Sequence, residues 1–476
     1  MMQILHISTE CYPAAKAGGM GDVVGALPMY QNRLNTNASV VIPHYENEWL
    51  SNQKFEVVIE GRFKLGLKTR YYEVRKLLKN DLGYTLYTIS LPGLFDRPNI
   101  YLNTDGNAYE DEIDRNIGFQ RSILEWLKRD ITNINILHCH DHMSGLIPFM
   151  IQFCPAYEKL KKLRTFFTIH NGQYRGVMNW KHASLLPSFP DKHKGLLEWD
   201  GEIHSLACAI KCAWRITTVS PSYMEELQDD FDTLTSLMQD EKHKALGVLN
   251  GIDNTLWEPS ADPMLPFNLK KSLSYFKSKN REILASNYTF DLKKKALLSF
   301  IGRFAYEKGA DLLADAIRSY IKTNSLFHFF ILGSGNKRIE LDILALAKEY
   351  PNNVTSVIAY NEQLAHHIYA ASDFIIMPSR FEPCGLNQMY AMRYGTVPIV
   401  RSTGGLKDSV PDIGDGGNGI SFLEASRNDI VYSFGRAASL YKNKKEFNTL
   451  RNKIVKLDFD WKQSAKQYVE EYKKIM

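Results

Sequence analysis

The chain has 476 residues, with 58 Lys and Arg against 53 Asp and Glu for a formal charge of +5, and it is 44% hydrophobic and 23% charged. That length, about three times a typical domain, predicts two domains or one large one with insertions, and the balance excludes disordered, collagen-like and coiled-coil chains. So small a charge carries no nucleic-acid footprint by itself, and six scattered cysteines are not a secreted disulfide scaffold but imply a reducing compartment. The opening Met1-Met2-Gln3-Ile4-Leu5-His6-Ile7 lacks the parts of a signal peptide and no run nears eighteen apolar residues. A cytoplasmic enzyme with no membrane or nucleic-acid partner is the expected class.

In chain order, short β-branched and aromatic runs at 3–9, 39–43, 134–140, 165–169 and 215–219 each precede a turn or helical pattern. A second series begins near Leu246 and continues at 296–301, 327–332, 354–358, 373–377 and 397–400. This is the alternation of parallel sheets clothed in helices, so the fold class is α/β with two doubly wound domains, 1–245 and 246–455. The boundary falls where the charged stretch Asp240-Glu241-Lys242-His243-Lys244 runs into Gly247-Val248-Leu249. In 456–476, Trp461, Ala465, Tyr468, Val469, Tyr472 and Ile475 follow helical spacing and predict an amphipathic helix that must dock its apolar face. No repeat or low-complexity tract interrupts the pattern, and Lys293-Lys294-Lys295 and the basic cluster at 159–164 read as solvated faces.

In open parallel sheets ligands sit beyond the carboxyl ends of the strands. The first such loop, Lys16-Ala17-Gly18-Gly19-Met20-Gly21-Asp22, opens into a helical pattern. Its glycines allow close backbone approach, the helix start offers N–H groups and Lys16 adds a charge, the outline of an anion site; a glycine turn with a solvated lysine has the same shape. Gly333-Ser334-Gly335-Asn336-Lys337-Arg338 approaches a dinucleotide motif but lacks its third glycine, and no Walker loop is present, which removes support from oxidoreductase and NTPase readings. After strand 296–301, Arg303 and Lys308 stand five residues apart in Gly302-Arg303-Phe304-Ala305-Tyr306-Glu307-Lys308-Gly309. They could grip a diphosphate as fork and point charge, or form a surface salt-bridge pair. After strand 373–377 comes Pro378-Ser379-Arg380-Phe381-Glu382-Pro383-Cys384-Gly385-Leu386-Asn387, whose Gly385 and Leu386 amides can hold a phosphate while Glu382 faces a polyhydroxyl ligand.

From Lys16-Ala17-Gly18-Gly19-Met20 through His138-Cys139-His140-Asp141, Thr168-Ile169-His170-Asn171, Val219-Ser220-Pro221-Ser222-Tyr223, Leu249-Asn250-Gly251-Ile252-Asp253 and Arg303 with Lys308, to Glu382-Pro383-Cys384-Gly385-Leu386 and Ser402-Thr403-Gly404-Gly405-Leu406, the sequence resembles the bacterial glycogen synthases and plant starch synthases. The resemblance spans nearly the whole chain. It implies a GT-B fold, two Rossmann-like domains facing across a cleft, the first on the glucan side and the second on the nucleotide-sugar side, with the C-terminal helix returning to the first. It also implies a retaining glucosyltransferase that moves glucose from ADP-glucose to the non-reducing end of an α-1,4-glucan without a cofactor or metal. By motif, Lys16, Gly18, Gly19, Arg303 and Lys308 would hold the ADP phosphates; Glu382, His170, Asp141 and Asn250 would surround the glucose; Asp22 would be an active-site acid; and Tyr360 would stack on adenine. Cys384, with Gly385 and Leu386, belongs to the donor-binding turn. Ala17, Met20, Asn387 and His142 depart from the commonest pattern, and none removes a charged group.

The family lacks a double-displacement nucleophile, which favours same-face attack with the leaving phosphate accepting the acceptor's proton. A relative using UDP-glucose or another acceptor, and a non-catalytic glucan-binding relative, are the alternatives. His138, His140 and His142 alternate as a metal site might, but the segment starts inside an apolar strand and the resemblance implies no metal there. Cys208 and Cys212, one helical turn apart, read as packing, and the acid pairs Asp230/Asp232 and Asp458/Asp460 as solvent-facing. Aromatic residues make up 12% of the chain, and Tyr71, Tyr72 and Trp461 stand as either core or sugar platforms.

Overall fold

The computed structural model describes residues 1–79, 81–103, 106–130, 134–290 and 295–476. Lys293 and Lys294, read above as a solvated face, lie outside the described residues. The chain divides into two compact units, one comprising Met1–Val219, Met224–Val248 and Trp461–Met476, the other Ser220–Tyr223 and Leu249–Asp460.

The sheet of the first unit runs, among the described residues, in the order Ala245–Gly247, Arg215–Thr218, Arg164–Ile169, Ile136–His140, Met2–Ile7, Thr36–Pro43, Thr85–Ser90, Lys68–Leu77, Phe55–Leu65. The first seven are parallel and the last two antiparallel. The inner parallel strands are largely buried on both faces, as in Ile136–His140, where every residue is buried, which is why near-continuous apolar runs stand out in sequence. Three features differ from the sequence reading, the first being that the parallel strand Thr85–Ser90 is absent from its runs. The strand near Leu246 does not begin the second series: Ala245–Gly247 pairs in parallel with Arg215–Thr218 and completes the edge of the first sheet. The hairpin Phe55–Leu65 and Lys68–Leu77 was not anticipated, because its outer strand is mostly exposed and carries charged residues through its length.

The C-terminal helix Trp461–Ile475 lays Trp461, Ala465, Tyr468 and Tyr472 on Ile4, Val23, Leu27, Tyr30, Ile136, Phe166 and Val248 of the same unit. Burial of each large apolar side chain contributes about 1.5–3 kcal/mol. Arg215 forms an ion pair with the nearly buried Glu471 at the helix's edge. Trp461 and Tyr72 are therefore core residues rather than sugar platforms, at 2% and 1% exposure, while Tyr71 is 37% exposed.

The second unit has a parallel sheet in the order Val354–Ile358, Phe327–Gly333, Ala296–Ile301, Phe374–Met377, Val397–Arg401, Ile420–Phe422. The glycines of the incomplete dinucleotide motif serve packing. A Cβ on Gly333 would stand 2.1 Å from the Gly302 carbonyl oxygen and one on Gly335 2.6 Å from that of Phe304, and Asn336 caps helix Lys337–Glu349. No described helix is long and apolar enough to cross a membrane.

Candidate functional site

In each unit the residues singled out in the sequence stand at the carboxyl ends of neighbouring strands, where loops of a parallel sheet gather. In the first unit these are Met2–Ile7, Ile136–His140 and Arg164–Ile169, consecutive in the sheet.

The glycine loop after Met2–Ile7 leads into helix Gly19–Asn32, whose N-cap is Gly18 and whose first turn carries Asp22. It already holds an anion from its own chain. Glu10, 3% exposed, accepts hydrogen bonds from the amides of Ala17 and Gly18, both at 2.7 Å, and from the Tyr101 hydroxyl at 2.7 Å. Lys16 Nζ lies 2.7 Å from Asp22 Oδ1. The expectation that these amides face a bound phosphate is thus corrected for 17 and 18, because a buried carboxylate must be hydrogen-bonded and these donors meet that need. Gly18 and Gly19 are exposed, with open space where a Cβ would stand, so a ligand can approach their backbone. Sequence reading missed Glu10; the signal was an acid between the strand's end and the loop.

Asp141 follows Ile136–His140 with φ 55°, a conformation that costs a non-glycine residue about 1–3 kcal/mol. Its Oδ1 accepts from the amides of His170 at 2.7 Å and Asn171 at 3.3 Å, tying one strand end to the next. Burial pushes its carboxyl up to about 7 against the pull of these amides. His170 is buried, and desolvation pushes its imidazole down to about 3, so it is neutral at physiological pH.

The three-histidine pattern read from the sequence is corrected. His138 and His140 do share one face of their strand, but the chain turns at Asp141, so His142 enters a short 3-10 turn, and the third ring beside them is His6 of the neighbouring strand. Ligand atoms of His6, His138 and His140 lie within 4.8 Å of one another. Their nitrogens are already matched with protein partners: His6 with His140 and Gln31, His138 with Tyr472 and Thr168, and His140 with His6 and His170. A metal ion would have to break this network.

In the second unit the turns after Ala296–Ile301, Phe374–Met377 and Val397–Arg401 come from strands adjacent in the sheet. Lys308 Nζ lies 2.7 Å from both oxygens of Glu382, and Ser379 Oγ donates to the same carboxylate at 2.9 Å. Glu382 is 5% exposed. Arg303 extends into solvent with its side chain 65% exposed, 2.9 Å from Glu307. Arg380 clamps Asp311 through two bonds of 2.6 and 2.8 Å, and its amide donates to the Glu307 carbonyl. These bonds bind the two turns together.

The Glu382 turn admits no larger residues at its glycines. Gly385 has φ +70°, and its Cβ would meet Gln388 Oε1 at 2.8 Å; Gly404 has φ +44°, and its Cβ would meet the Glu382 carbonyl oxygen at 2.1 Å. Leu386 precedes helix Asn387–Arg393, whose start has no side-chain cap, and Asn387 Nδ2 bonds the Ile301 carbonyl at 2.8 Å. Cys384 is buried, which pushes its thiol well up, with an amide bond from Asn250 opposing; it is held for size, not as a nucleophile. Asn250 is 5% exposed and its Oδ1 has no hydrogen-bond partner. A buried carbonyl left so can accept from a ligand donor or a water. Tyr360 is 80% exposed.

A family profile described as "Starch synthase catalytic domain" matches residues 3–240, and one described as "Glycosyl transferases group 1" matches 285–448. The chain is 46% identical to a glycogen synthase from Flavobacterium johnsoniae, over 100% of this chain and 99% of that one. It is 34% identical to a glycogen synthase from Geobacillus thermodenitrificans, over 100% and 98%. Among solved structures, the catalytic domain of starch synthase IV from Arabidopsis thaliana bound to ADP and acarbose superposes with TM-score 0.88 at 28% identity, covering 99% of both chains.

Proposed function

The chain belongs to the glycogen and starch synthase family of glycosyltransferases, and from that premise we propose that it transfers glucose from ADP-glucose to the terminal 4-hydroxyl of an α-1,4-glucan, retaining the anomeric configuration. The observation that carries this reading is the Lys308–Glu382 pair, a cation held 2.7 Å from both oxygens of a nearly buried carboxylate on turns at the carboxyl ends of the second sheet. The relative bound to ADP supports an adenine donor.

Cleaving the bond between anomeric carbon and phosphate puts negative charge on the departing ADP and positive charge on the sugar. Catalysis requires fixed groups that meet those charges as they develop. Lys308, oriented by Glu382, and the exposed Arg303 supply cations for the diphosphate; the Gly385 and Leu386 amides and Lys16 with the Gly19 amide add donors. Asn250 offers its unpaired carbonyl to a sugar hydroxyl. His170, neutral because it is buried, contributes hydrogen bonding without placing a cation beside the developing oxocarbenium. Asp141 holds the His170 and Asn171 amides and so fixes that segment, and Asp22 restrains Lys16. The acceptor's 4-oxygen then bonds the anomeric carbon as the phosphate oxygen leaves from the same face and takes the acceptor's proton.

The test is incubation of the purified protein with ADP-glucose or UDP-glucose, with and without glycogen, following nucleotide release and chain growth. Elongation of glycogen with ADP-glucose preferred is the expected result. Preference for UDP-glucose overturns the donor assignment, and failure to elongate with either donor overturns the reading as a whole.

A further inference from the structure

A continuous chain of hydrogen bonds runs from beneath the C-terminal helix to His170 within the first unit. Gln31 Oε1 lies 2.8 Å from His6 Nε2, His6 Nδ1 lies 3.0 Å from His140 Nε2, and His140 Nδ1 lies 2.9 Å from His170 Nε2. At the far end Gln31 Nε2 donates to the Tyr472 hydroxyl at 3.0 Å, which also meets His138 Nδ1 at 2.7 Å. Gln31, His6, His140 and Tyr472 are all fully buried. The sequence does not hint at this chain, whose members come from three strand regions and two helices.

Desolvation keeps the three imidazoles neutral, with His6 pushed down to about 4, His170 to about 3 and His140 well below its ordinary value. A neutral imidazole has one donor and one acceptor nitrogen, so three in series admit two arrangements of protons. The amide of Gln31 selects between them. Its carbonyl can only accept, so His6 carries its proton on Nε2 and accepts at Nδ1. His140 must then donate from Nε2 and accept at Nδ1, and His170 in turn donates from Nε2, leaving a lone pair on its Nδ1. Turning the amide over would reverse every bond and put the proton on His170 Nδ1. Gln31 Nε2 donates to the Tyr472 hydroxyl, and the amide is held as it is while that hydroxyl accepts and passes its own proton to His138 Nδ1.

We propose that Gln31 and Tyr472 are positioning residues that set the tautomer of His170 through His6 and His140, so that His170 presents a hydrogen-bond acceptor to a hydroxyl of the donor sugar. The inference rests on the reading of His170 as a donor-sugar residue. It gives the C-terminal helix a part in the chemistry beyond covering the sheet. A neutral acceptor at this place suits a sugar that becomes positive as the leaving group departs.

The experiment is a long-range proton–nitrogen correlation spectrum of protein labelled with ring-15N histidine, recorded without donor, resonances being assigned by single histidine replacements. His6, His140 and His170 are expected with the proton on Nε2. In Gln31→Met, and in the gentler Tyr472→Phe, His170 should lose that single state, with kcat/KM for ADP-glucose falling about tenfold, the worth of roughly one hydrogen bond. In Gln31→Glu a buried carboxylic acid accepts with its carbonyl and donates with its hydroxyl, so tautomer and rate should both return. A wild-type His170 protonated on Nδ1, or one indifferent to Gln31→Met and Tyr472→Phe, overturns the proposal; an altered tautomer with unchanged kcat/KM overturns its link to transfer. Because the spectrum is read without substrate, a wrong donor assignment leaves the relay result standing.

Discussion

Replacing Lys308 by Met removes the only cation whose nitrogen stands 2.7 Å from both oxygens of Glu382 among the described residues. The pair's side chains are 27% and 6% exposed, so the carboxylate is left nearly dry with the Ser379 hydroxyl at 2.9 Å. Breaking a buried pair by removing one partner costs about 3–5 kcal/mol, and the partial exposure of the lysine points to the lower end, about 3 kcal/mol. In a unit of this size that lowers the melting transition by roughly 6–12 °C. Glu382→Gln should cost less, because the amide keeps the Ser379 bond and the lysine can reach water. The double variant should be milder than the sum by about 2 kcal/mol, the coupling expected of residues in direct contact. Transfer should fall by about 10² to 10³ in Lys308→Met, the loss typical of one donor aimed at transition-state charge, and should not recover in the double variant although stability does. Urea unfolding of the four proteins, with turnover on ADP-glucose and glycogen, reads both effects. Additive unfolding energies with turnover within a few-fold of the parent would refute the assignment of this pair.

Buried imidazoles make the protein acid-labile. His6, His142, His204 and His328 are pushed down to about 4 and His170 to about 3 by burial. The unfolded chain therefore takes up protons first, and stability present above about 6.5 is lost as pH falls towards 4, by up to about 2 kcal/mol per ring at pH 5. Asp141, raised to about 7, acts in the opposite sense, its contribution being lost as pH rises through 7, and one such group does not offset five. A urea midpoint that stays level between pH 7 and 5 would contradict this. Gly385→Ala forces a Cβ to 2.8 Å from Gln388 Oε1 and 3.1 Å from Glu382 Cγ at φ +70°; transfer should drop at least tenfold with helix content unchanged by circular dichroism. Glu10→Leu strips the Ala17 and Gly18 amides of their acceptor, at about 1–3 kcal/mol, and should raise KM for the donor; an unaltered KM would show that the loop keeps its form without Glu10.

What the sequence by itself determined is whatever depends on near neighbours along the chain. Doubly buried parallel strands such as Ala296–Ile301 and Phe327–Gly333 are written as apolar runs because both faces are covered, and the terminal helix shows its apolar stripe because one side is covered. Glycines at Gly385 and Gly404 mark turns whose backbone only glycine adopts easily, and the site loops are found by following strands to their ends. The tertiary structure alone decided which strands lie side by side, and that order brings His6 beside His138, while the fold carries Tyr101 to Glu10 across 91 positions. Gln31 meets Tyr472 across 441 positions of sequence. A buried polar group takes whatever partner the fold carries to it, so its pairing is fixed by the packing of distant segments, and no local periodicity records it.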